Sequence, residues 1–246
     1  MYQFIYVCKE KISTYTICIA VAILVVMILL ERIEKKRMSL HEIDQIVMNL
    51  AFTIPFVFAG AVIFDKIAHS NDTNTYGMSA IGGIILGIVC FVIAHYFIFD
   101  SLKGIRKHMC IAAPYVALGH CIGRIGCFLG GCCFGRPSDS IIAVRFPKDS
   151  LAFLKYGDVK VLPTQLFEAF LLLLIFFITI TRKDREKNVI IYGLSYSIGR
   201  FIIEFFRGDN RGNIVSSFFS PTQWICLCFV ALIIIGMGIR CAIKKL

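Results

Sequence analysis

The feature that most constrains this chain is a series of apolar stretches, each close in length to a membrane-crossing helix. A helix needs about 20 apolar residues to cross the hydrocarbon core of a bilayer, and seven stretches reach or approach that length. They cover residues 15–30, 43–64, 78–99, 109–129, 163–180, 189–206 and 221–239. We therefore predict an all-α polytopic membrane protein with seven transmembrane helices, forming a single membrane-embedded domain over residues 1–246.

Composition excludes the other broad classes of protein. Apolar residues make up 58% of the 246 residues and charged residues only 17%, whereas an average soluble domain is about half apolar and a quarter charged. A soluble globule and a disordered chain are both excluded, since a disordered chain is poor in large aliphatic residues. Most of the eleven cysteines lie inside apolar stretches, where they are common packing residues, so we expect no disulfide framework.

The positive charge predicts the orientation of the chain. The formal net charge is +10, but the basic residues lie in the connectors between apolar stretches, so we expect no nucleic-acid partner. Alternate connectors carry fourteen Lys and Arg on one side and five on the other, when the long fourth connector is left out. Because dense basic segments stay in the cytoplasm, the N-terminus is predicted outside and the C-terminus inside.

The long fourth connector then lies outside the cell. Residues 130–162 mix Gly, Pro and charged residues, and we expect them to form a small extracytoplasmic head between transmembrane helices 4 and 5. The short stretch Ile141 to Phe146 is apolar apart from Arg145, and we predict a short strand there.

Polar and ionisable residues cluster near the outer ends of the fourth, fifth and sixth stretches. At membrane depth each Arg, Glu or His costs a few kcal/mol unless it has a partner, a water-filled cavity or a ligand. On each stretch they are three or four residues apart and so share one helix face. They are His120 and Arg124, Gln165 and Glu168, and Arg200, Glu204 and Arg207.

The balance of charge in this set favours an anionic ligand. Two or three Arg against two Glu suit a phosphate group, which a guanidinium can bind through two parallel hydrogen bonds. The alternative is a set of salt bridges that only hold the helices together, and His120 could be a neutral histidine satisfied by a carbonyl. We favour a polar cavity, because buried ion pairs are weak stabilisers and these charges exceed what packing requires.

Glycines surround Arg124 on the fourth stretch, and they allow two interpretations. Gly119, Gly123, Gly126 and Gly130 match the small-residue spacing that lets transmembrane helices pack closely. Without side chains, the same backbone would also let a lipid headgroup approach. The two interpretations are compatible.

Three cysteines follow Arg124, and they allow a metal site, a redox pair, or packing and polar lining of the cavity. A structural zinc site usually has four ligands, and the only nearby histidine in the sequence is His120. The adjacent Cys132 and Cys133 would form a strained disulfide. We therefore favour the lining role for Cys127, Cys132 and Cys133, with no metal ion and no cofactor.

Three segments carry a resemblance to a known family. GRIGCFLGGCCFG, PTQLFEA and GRFIIEFFRGD resemble the signature segments of the phosphatidylglycerol:prolipoprotein diacylglyceryl transferase family, and the likeness spans most of the chain. It implies an enzyme that transfers a diacylglyceryl group from phosphatidylglycerol to the lipobox cysteine in the signal peptide of a prolipoprotein. It also implies a multi-pass protein of the bacterial cytoplasmic membrane, in contact with the lipid bilayer.

The resemblance also assigns roles to residues of this sequence. Arg124, Arg200 and Glu204 are implied as catalytic residues. Substrate-binding roles fall to the matching positions Tyr15, Cys127, Cys132, Gly135, Gln165, Glu168 and Arg207.

The departures from the family pattern lie at three positions. Cys127 stands where the family has Asn, Cys132 where it has Glu, and Ile81 where it has a His before a pair of glycines. The change at Ile81 removes a proposed base. His120, one turn from Arg124, is our candidate catalytic base, and the alternative is that the cationic surroundings alone lower the pKa of the acceptor thiol.

Two other functions are compatible with these residues. The protein could bind or transport an anionic lipid without catalysis, or transfer the same lipid group to a different acceptor. Identification of the reaction product separates all three.

Overall fold

The computed structural model describes residues 3–7, 10–68, 80–99, 104–208 and 219–243. Over these residues the protein is mostly helical, at 74%, which confirms the helical character of the predicted class. Within these residues the elements are β1 (Phe4–Val7), β2 (Glu10–Ser13), α1 (Thr14–Glu34), α2 (Leu40–Ala68), α3 (Ala80–Phe99), α4 (Ile105–Gly130), α5 (Leu151–Tyr156), α6 (Thr164–Thr181), α7 (Asn188–Glu204) and α8 (Pro221–Ile243).

Within the described residues, four helices are long and apolar enough to cross a membrane. These are α1, α2 over Leu40–Phe64, α4 and α6, while α3 and α8 contain the shorter apolar segments Ile85–Phe99 and Pro221–Gly236. The start of the predicted third span, at residues 78 and 79, lies outside the described residues. The count of seven spans and the orientation stay predictions.

The chain divides into two compact units. One contains Met1–Val26 with Ala113–Leu246, and the other contains Met27–Ala112. In the second unit α2 packs on α3 through glycines. A Cβ atom added at Gly60 would collide with the carbonyl of Gly82, and one added at Gly82 would collide with the carbonyl of Gly60. The glycines at these two positions therefore let α2 and α3 pack closely.

In the first unit the amino-terminal segment packs against the end of α4. Strands β1 and β2 form an antiparallel hairpin, and just before it Gln3 donates from Nε2 to the carbonyl of Gly130 over 3.3 Å. A Cβ atom at Gly126 would lie 2.9 Å from Cβ of Cys18 and 3.2 Å from Cδ2 of Tyr15. The glycine thus lets α1 approach α4 and places Tyr15 beside the carboxyl end of α4.

The insertion between α4 and α6 has its own small core of buried Phe134, Phe146, Ala152 and Val161. Helix α5 begins at Ser150, whose side chain accepts a hydrogen bond from the Phe153 amide, a standard N-cap.

The strand predicted over residues 141–146 was wrong. Ala143 donates to the Ser140 carbonyl in a turn over 3.0 Å, and only Val144 forms a bridge, with Val161. The side chains of Ile141 and Ile142 are exposed, at 98% and 53%, so this apolar stretch does not form a buried strand.

Gly135 joins the insertion to the end of α7. Its amide donates to Leu162, and the next amide, of Arg136, donates to the Phe206 carbonyl over 2.9 Å. A Cβ atom at Gly135 would lie 2.6 Å from the Leu162 carbonyl oxygen and 2.8 Å from that of Phe206. This crossing therefore requires glycine, and it fixes the turn after α4 relative to α7.

Candidate active site

Glu168 of α6 lies at the centre of a buried charged cluster. Its Oε1 atom is 2.9 Å from Nη2 of Arg124 on α4 and 3.7 Å from Nε of Arg200 on α7. The hydroxyl of Tyr196 donates to the same oxygen over 2.6 Å. The Glu168 side chain is fully buried, so three helices converge on one carboxylate.

A second carboxylate extends the cluster along α7. Nη1 of Arg200 is 2.6 Å from Oε2 of Glu204, one helical turn away, and Nε of Arg207 is 3.9 Å from the same oxygen. The hydroxyl of Ser220 donates to Oε1 of Glu204 over 2.9 Å. The side chains of Arg200, Glu204 and Arg207 are each at least 95% buried, so Arg207 belongs to the buried network.

His120 forms the more accessible edge of the cluster. Its Nε2 atom is 3.9 Å from Oε1 of Glu168 and its Nδ1 atom is 3.3 Å from the Tyr192 hydroxyl. The His120 side chain is 29% exposed, compared with 13% for Arg124 and none for Glu168. A molecule entering the cluster would therefore meet His120 and Arg124 before the buried carboxylates.

Two polar atoms of the cluster are left for a ligand. Arg124 Nε and Glu168 Oε2 are buried and have no hydrogen-bond partner within the described residues. At Gly123, the residue before Arg124, an added Cβ atom would meet no described atom within 4 Å. Buried polar groups in proteins are nearly always paired, so Arg124 Nε is available as a donor and Glu168 Oε2 as an acceptor for a guest.

The turn after α4 is held by the first residues of α6. Gln165 donates from Nε2 to the Cys132 carbonyl over 2.5 Å, and the Thr164 hydroxyl donates to the Cys133 carbonyl over 2.9 Å. Cys133 has a φ of +61°, which is unusual outside glycine. Hydrogen bonds from the thiols of Cys127 and Cys132 lower the pKa of the Cys133 thiol.

The structure brings most of the predicted site residues together. Arg124, His120, Glu168, Arg200, Glu204 and Arg207 share one network. Tyr15, Cys127, Cys132 and Gln165 lie around the carboxyl end of α4. Gly135 instead lies at the backbone crossing with α7.

Two tyrosines of this cluster were missed by the sequence analysis. Tyr192 and Tyr196 bond to His120 and Glu168, and they precede Arg200 by eight and four residues. The signal was available, because Tyr192, Tyr196, Arg200 and Glu204 recur at intervals of four residues and so mark one helix face. Ser220 and Thr164 gave no comparable pattern.

The open space beside Gly123 gives a prediction that separates fold from function. Gly123→Leu should leave the melting temperature within a few degrees, because no described atom occupies that space, but it should lower the rate of a reaction that uses the space about tenfold or more. Gly126→Leu is the control, since the contact with Cys18 predicts loss of stability instead. Full activity in Gly123→Leu would mean that no ligand occupies this space.

Taken together, the fold and the cluster define a helical membrane protein with a buried cluster of guanidinium and carboxylate groups. Residues 3–239 match the family model described as prolipoprotein diacylglyceryl transferase. The chain belongs to this family, and the class of enzyme predicted from the sequence is confirmed.

Individual relatives are similar over different parts of the chain. A phosphatidylglycerol–prolipoprotein diacylglyceryl transferase of Clostridium tetani is 32% identical over 226 residues, which cover 88% of each chain. A second such transferase, of Clostridium perfringens, is 38% identical over 48% of this chain and 45% of its own. One from Helicobacter pylori strain J99 is 32% identical over 70% of this chain and 59% of its own.

Proposed function

We propose that this protein transfers a diacylglyceryl group from phosphatidylglycerol to the lipobox cysteine thiol of a prolipoprotein, with glycerol phosphate as the leaving group. The observation that carries the proposal is the convergence of Arg124 and Arg200 on Glu168, with polar atoms and space left beside them. The names of these relatives state phosphatidylglycerol as the donor and a prolipoprotein as the acceptor for those proteins.

The proposed arrangement in the membrane follows the charge pattern of the connectors. Seven helices cross the bacterial cytoplasmic membrane, with the N-terminus outside and the C-terminus inside, and residues 1–246 act as one domain. Residues 130–162 form the extracytoplasmic head. This arrangement is supported by the excess of basic residues on one set of connectors, and it places the buried cluster toward the outer leaflet, where a secreted precursor would arrive.

Arg124 and Arg200 are the groups that we assign to the phosphodiester of the lipid. Glu168 pairs with Nη2 of Arg124, so the Nε–H of Arg124 can donate a hydrogen bond to a phosphate oxygen. Glu204 holds Arg200 in place. During transfer, negative charge grows on the departing phosphate, and fixed cationic donors in a water-poor site stabilise such charge strongly.

The remaining residues position the substrates. Gln165 holds the turn after α4 at Cys132, and Gly135 fixes the end of that turn where it meets the residues after α7. Tyr15, Cys127 and Cys132 line the carboxyl end of α4, where we place the acyl-glycerol part of the donor. Arg207 adds positive charge beside Glu204.

His120 is our proposed base for the acceptor thiol. It is the exposed member of the cluster, and bonds to Tyr192 keep its ring in a fixed place. Loss of a general base typically costs about 10²–10⁴-fold in rate, so His120→Gln should lower the transfer rate by at least about 10²-fold. The rate is measured at several pH values, and it should recover partly at high pH, where the thiol ionises without help.

An unchanged rate in His120→Gln would contradict the base assignment and favour a cationic field as the activator. Tyr156→Phe, which removes a hydroxyl bonded to Gly208 outside the cluster, is the matched control and should keep its rate.

The test of the proposed function is an assay of purified protein with phosphatidylglycerol and a lipobox peptide. We expect a peptide whose mass has increased by one diacylglyceryl group, joined as a thioether, and release of glycerol phosphate. Lipid bound without turnover would identify a non-catalytic lipid binder or transporter. Glycerol phosphate released only with another thiol or hydroxyl acceptor would identify a related transferase with a different acceptor.

A further inference from the structure

The three cysteines of the turn after α4 converge on one point. The Sγ atoms of Cys127, Cys132 and Cys133 all lie within 4.8 Å of one another, and no other such group of potential metal ligands occurs within the described residues. Spacing alone does not predict this convergence, because Cys127 lies in the last turn of α4 and the other two cysteines follow the helix.

The backbone of the turn holds the three thiols in place. The Cys132 amide donates to the Cys127 carbonyl over 3.2 Å, which bends the chain back over the helix end. The left-handed conformation of Cys133 then turns its side chain toward the other two. Such strained conformations persist only where surrounding contacts enforce them, and they concentrate at functional sites. Here the hydrogen bonds from Gln165 and Thr164 to the carbonyls of Cys132 and Cys133 hold the backbone in this conformation.

Three convergent thiols match the ligand set of a soft metal ion. Thiolates favour zinc and monovalent copper over magnesium or calcium. A Zn–S bond of about 2.3 Å places sulfur atoms about 3.8–4.0 Å apart, so a metal would draw these sulfurs together by less than about 1 Å. A zinc site with three protein ligands keeps a fourth position for water or substrate, as catalytic zinc sites do.

We propose that Cys127, Cys132 and Cys133 bind a zinc ion as three thiolates, and that the fourth position takes the thiol of the acceptor cysteine. The evidence for the metal site is the convergence of the three sulfur atoms. The identity of its fourth ligand rests on the proposed function. Arg124 lies one turn before Cys127, on the same helix end, so the zinc and the phosphate-binding guanidinium belong to one site.

The zinc supplies the thiolate that the reaction needs. The acceptor thiol gives up its proton when its sulfur binds zinc, and the proton passes to His120. The zinc-bound sulfur then attacks the diacylglyceryl carbon that carries the phosphate oxygen. A carbon–sulfur bond forms, the carbon–oxygen bond breaks, and its electron pair leaves with glycerol phosphate, so no oxidant or reductant is needed.

The first experiment measures zinc bound to the protein. The detergent-purified protein is incubated with zinc, separated from free ions, and analysed by elemental mass spectrometry. We expect about one zinc per chain, the same value in Cys228→Ser, and at least a tenfold reduction when Cys127, Cys132 and Cys133 are all replaced by serine. Cys228 is an exposed cysteine of α8, away from the turn. A wild-type protein that retains no zinc would overturn the proposal.

A second experiment uses only the wild-type protein, so a misfolded variant cannot obscure the result. Cadmium is added to zinc-free protein, and the thiolate-to-cadmium absorption is measured. It should saturate at about one equivalent and rise by about a third when a lipobox peptide adds a fourth thiolate. The same peptide with serine for cysteine should add nothing, and equal spectra with both peptides would refute the assignment of the fourth ligand.

The transfer assay separates this proposal from the proposed function. Diacylglyceryl transfer at the full rate by zinc-free protein would contradict the role of zinc and leave the function intact. Zinc bound by the three thiols without any transfer product would contradict the function and leave the metal site intact. Loss of transfer on chelation, with recovery on adding zinc, would support both.

Discussion

Replacing Arg124 with glutamine is expected to lower the rate of diacylglyceryl transfer by about 10³-fold, the usual cost of removing one fixed donor from a site of developing negative charge. Arg124 pairs with Glu168 through Nη2 and has a free Nε–H, so it can bind substrate while remaining held. Arg124→Lys keeps the charge but loses the planar pair of donors, and its rate should fall between those of Arg124→Gln and the wild type. Initial rates of thioether formation measure both.

The matched control for Arg124 is Arg145→Ala. Arg145 pairs with Asp158 at the surface of the insertion, where both side chains are more than half exposed, and the variant should keep the wild-type rate. Equal rates in Arg124→Gln and the wild type would show that this guanidinium does not contact the reacting groups.

The second large effect is expected on stability. Glu168→Ala removes the carboxylate shared by Arg124, Arg200 and Tyr196, and breaking a buried pair in this way costs about 3–5 kcal/mol. The free energy of unfolding is measured in detergent by denaturant titration.

Asp158→Ala is the control for Glu168. It removes one partner of the exposed pair with Arg145, and exposed pairs contribute about 0–1 kcal/mol. A loss of stability in Glu168→Ala no larger than in Asp158→Ala would contradict the central place of Glu168 in the cluster.

The polar cluster was largely predictable, because ionisable residues are rare in membrane-spanning helices. Arg124, Glu168, Arg200 and Glu204 stand out in apolar stretches, and a charge at membrane depth needs a partner. Spacing then placed each set on one helix face. Spacing does not predict which residues pair between helices. The sharing of Glu168 by the guanidinium groups of Arg124 and Arg200 is therefore known only from the structure.

Local features of the turns and the insertion were less predictable. The convergence of Cys127, Cys132 and Cys133 depends on a left-handed residue and on hydrogen bonds from α6, neither of which has a sequence signal. The strand predicted at residues 141–146 failed because a short apolar run indicates a strand only where its side chains are buried, and Ile141 is exposed.

Binding of an anionic lipid's phosphodiester by the guanidinium groups beside Glu168 is the step that the proposed function most requires. The most direct measurement is the dissociation constant of phosphatidylglycerol, obtained by native mass spectrometry of the purified protein and compared with that of zwitterionic phosphatidylcholine. We predict that the wild type prefers phosphatidylglycerol and that Arg124→Gln loses about tenfold in that preference, while Arg145→Ala keeps it. Equal affinity for both lipids, unchanged by Arg124→Gln, would contradict the account.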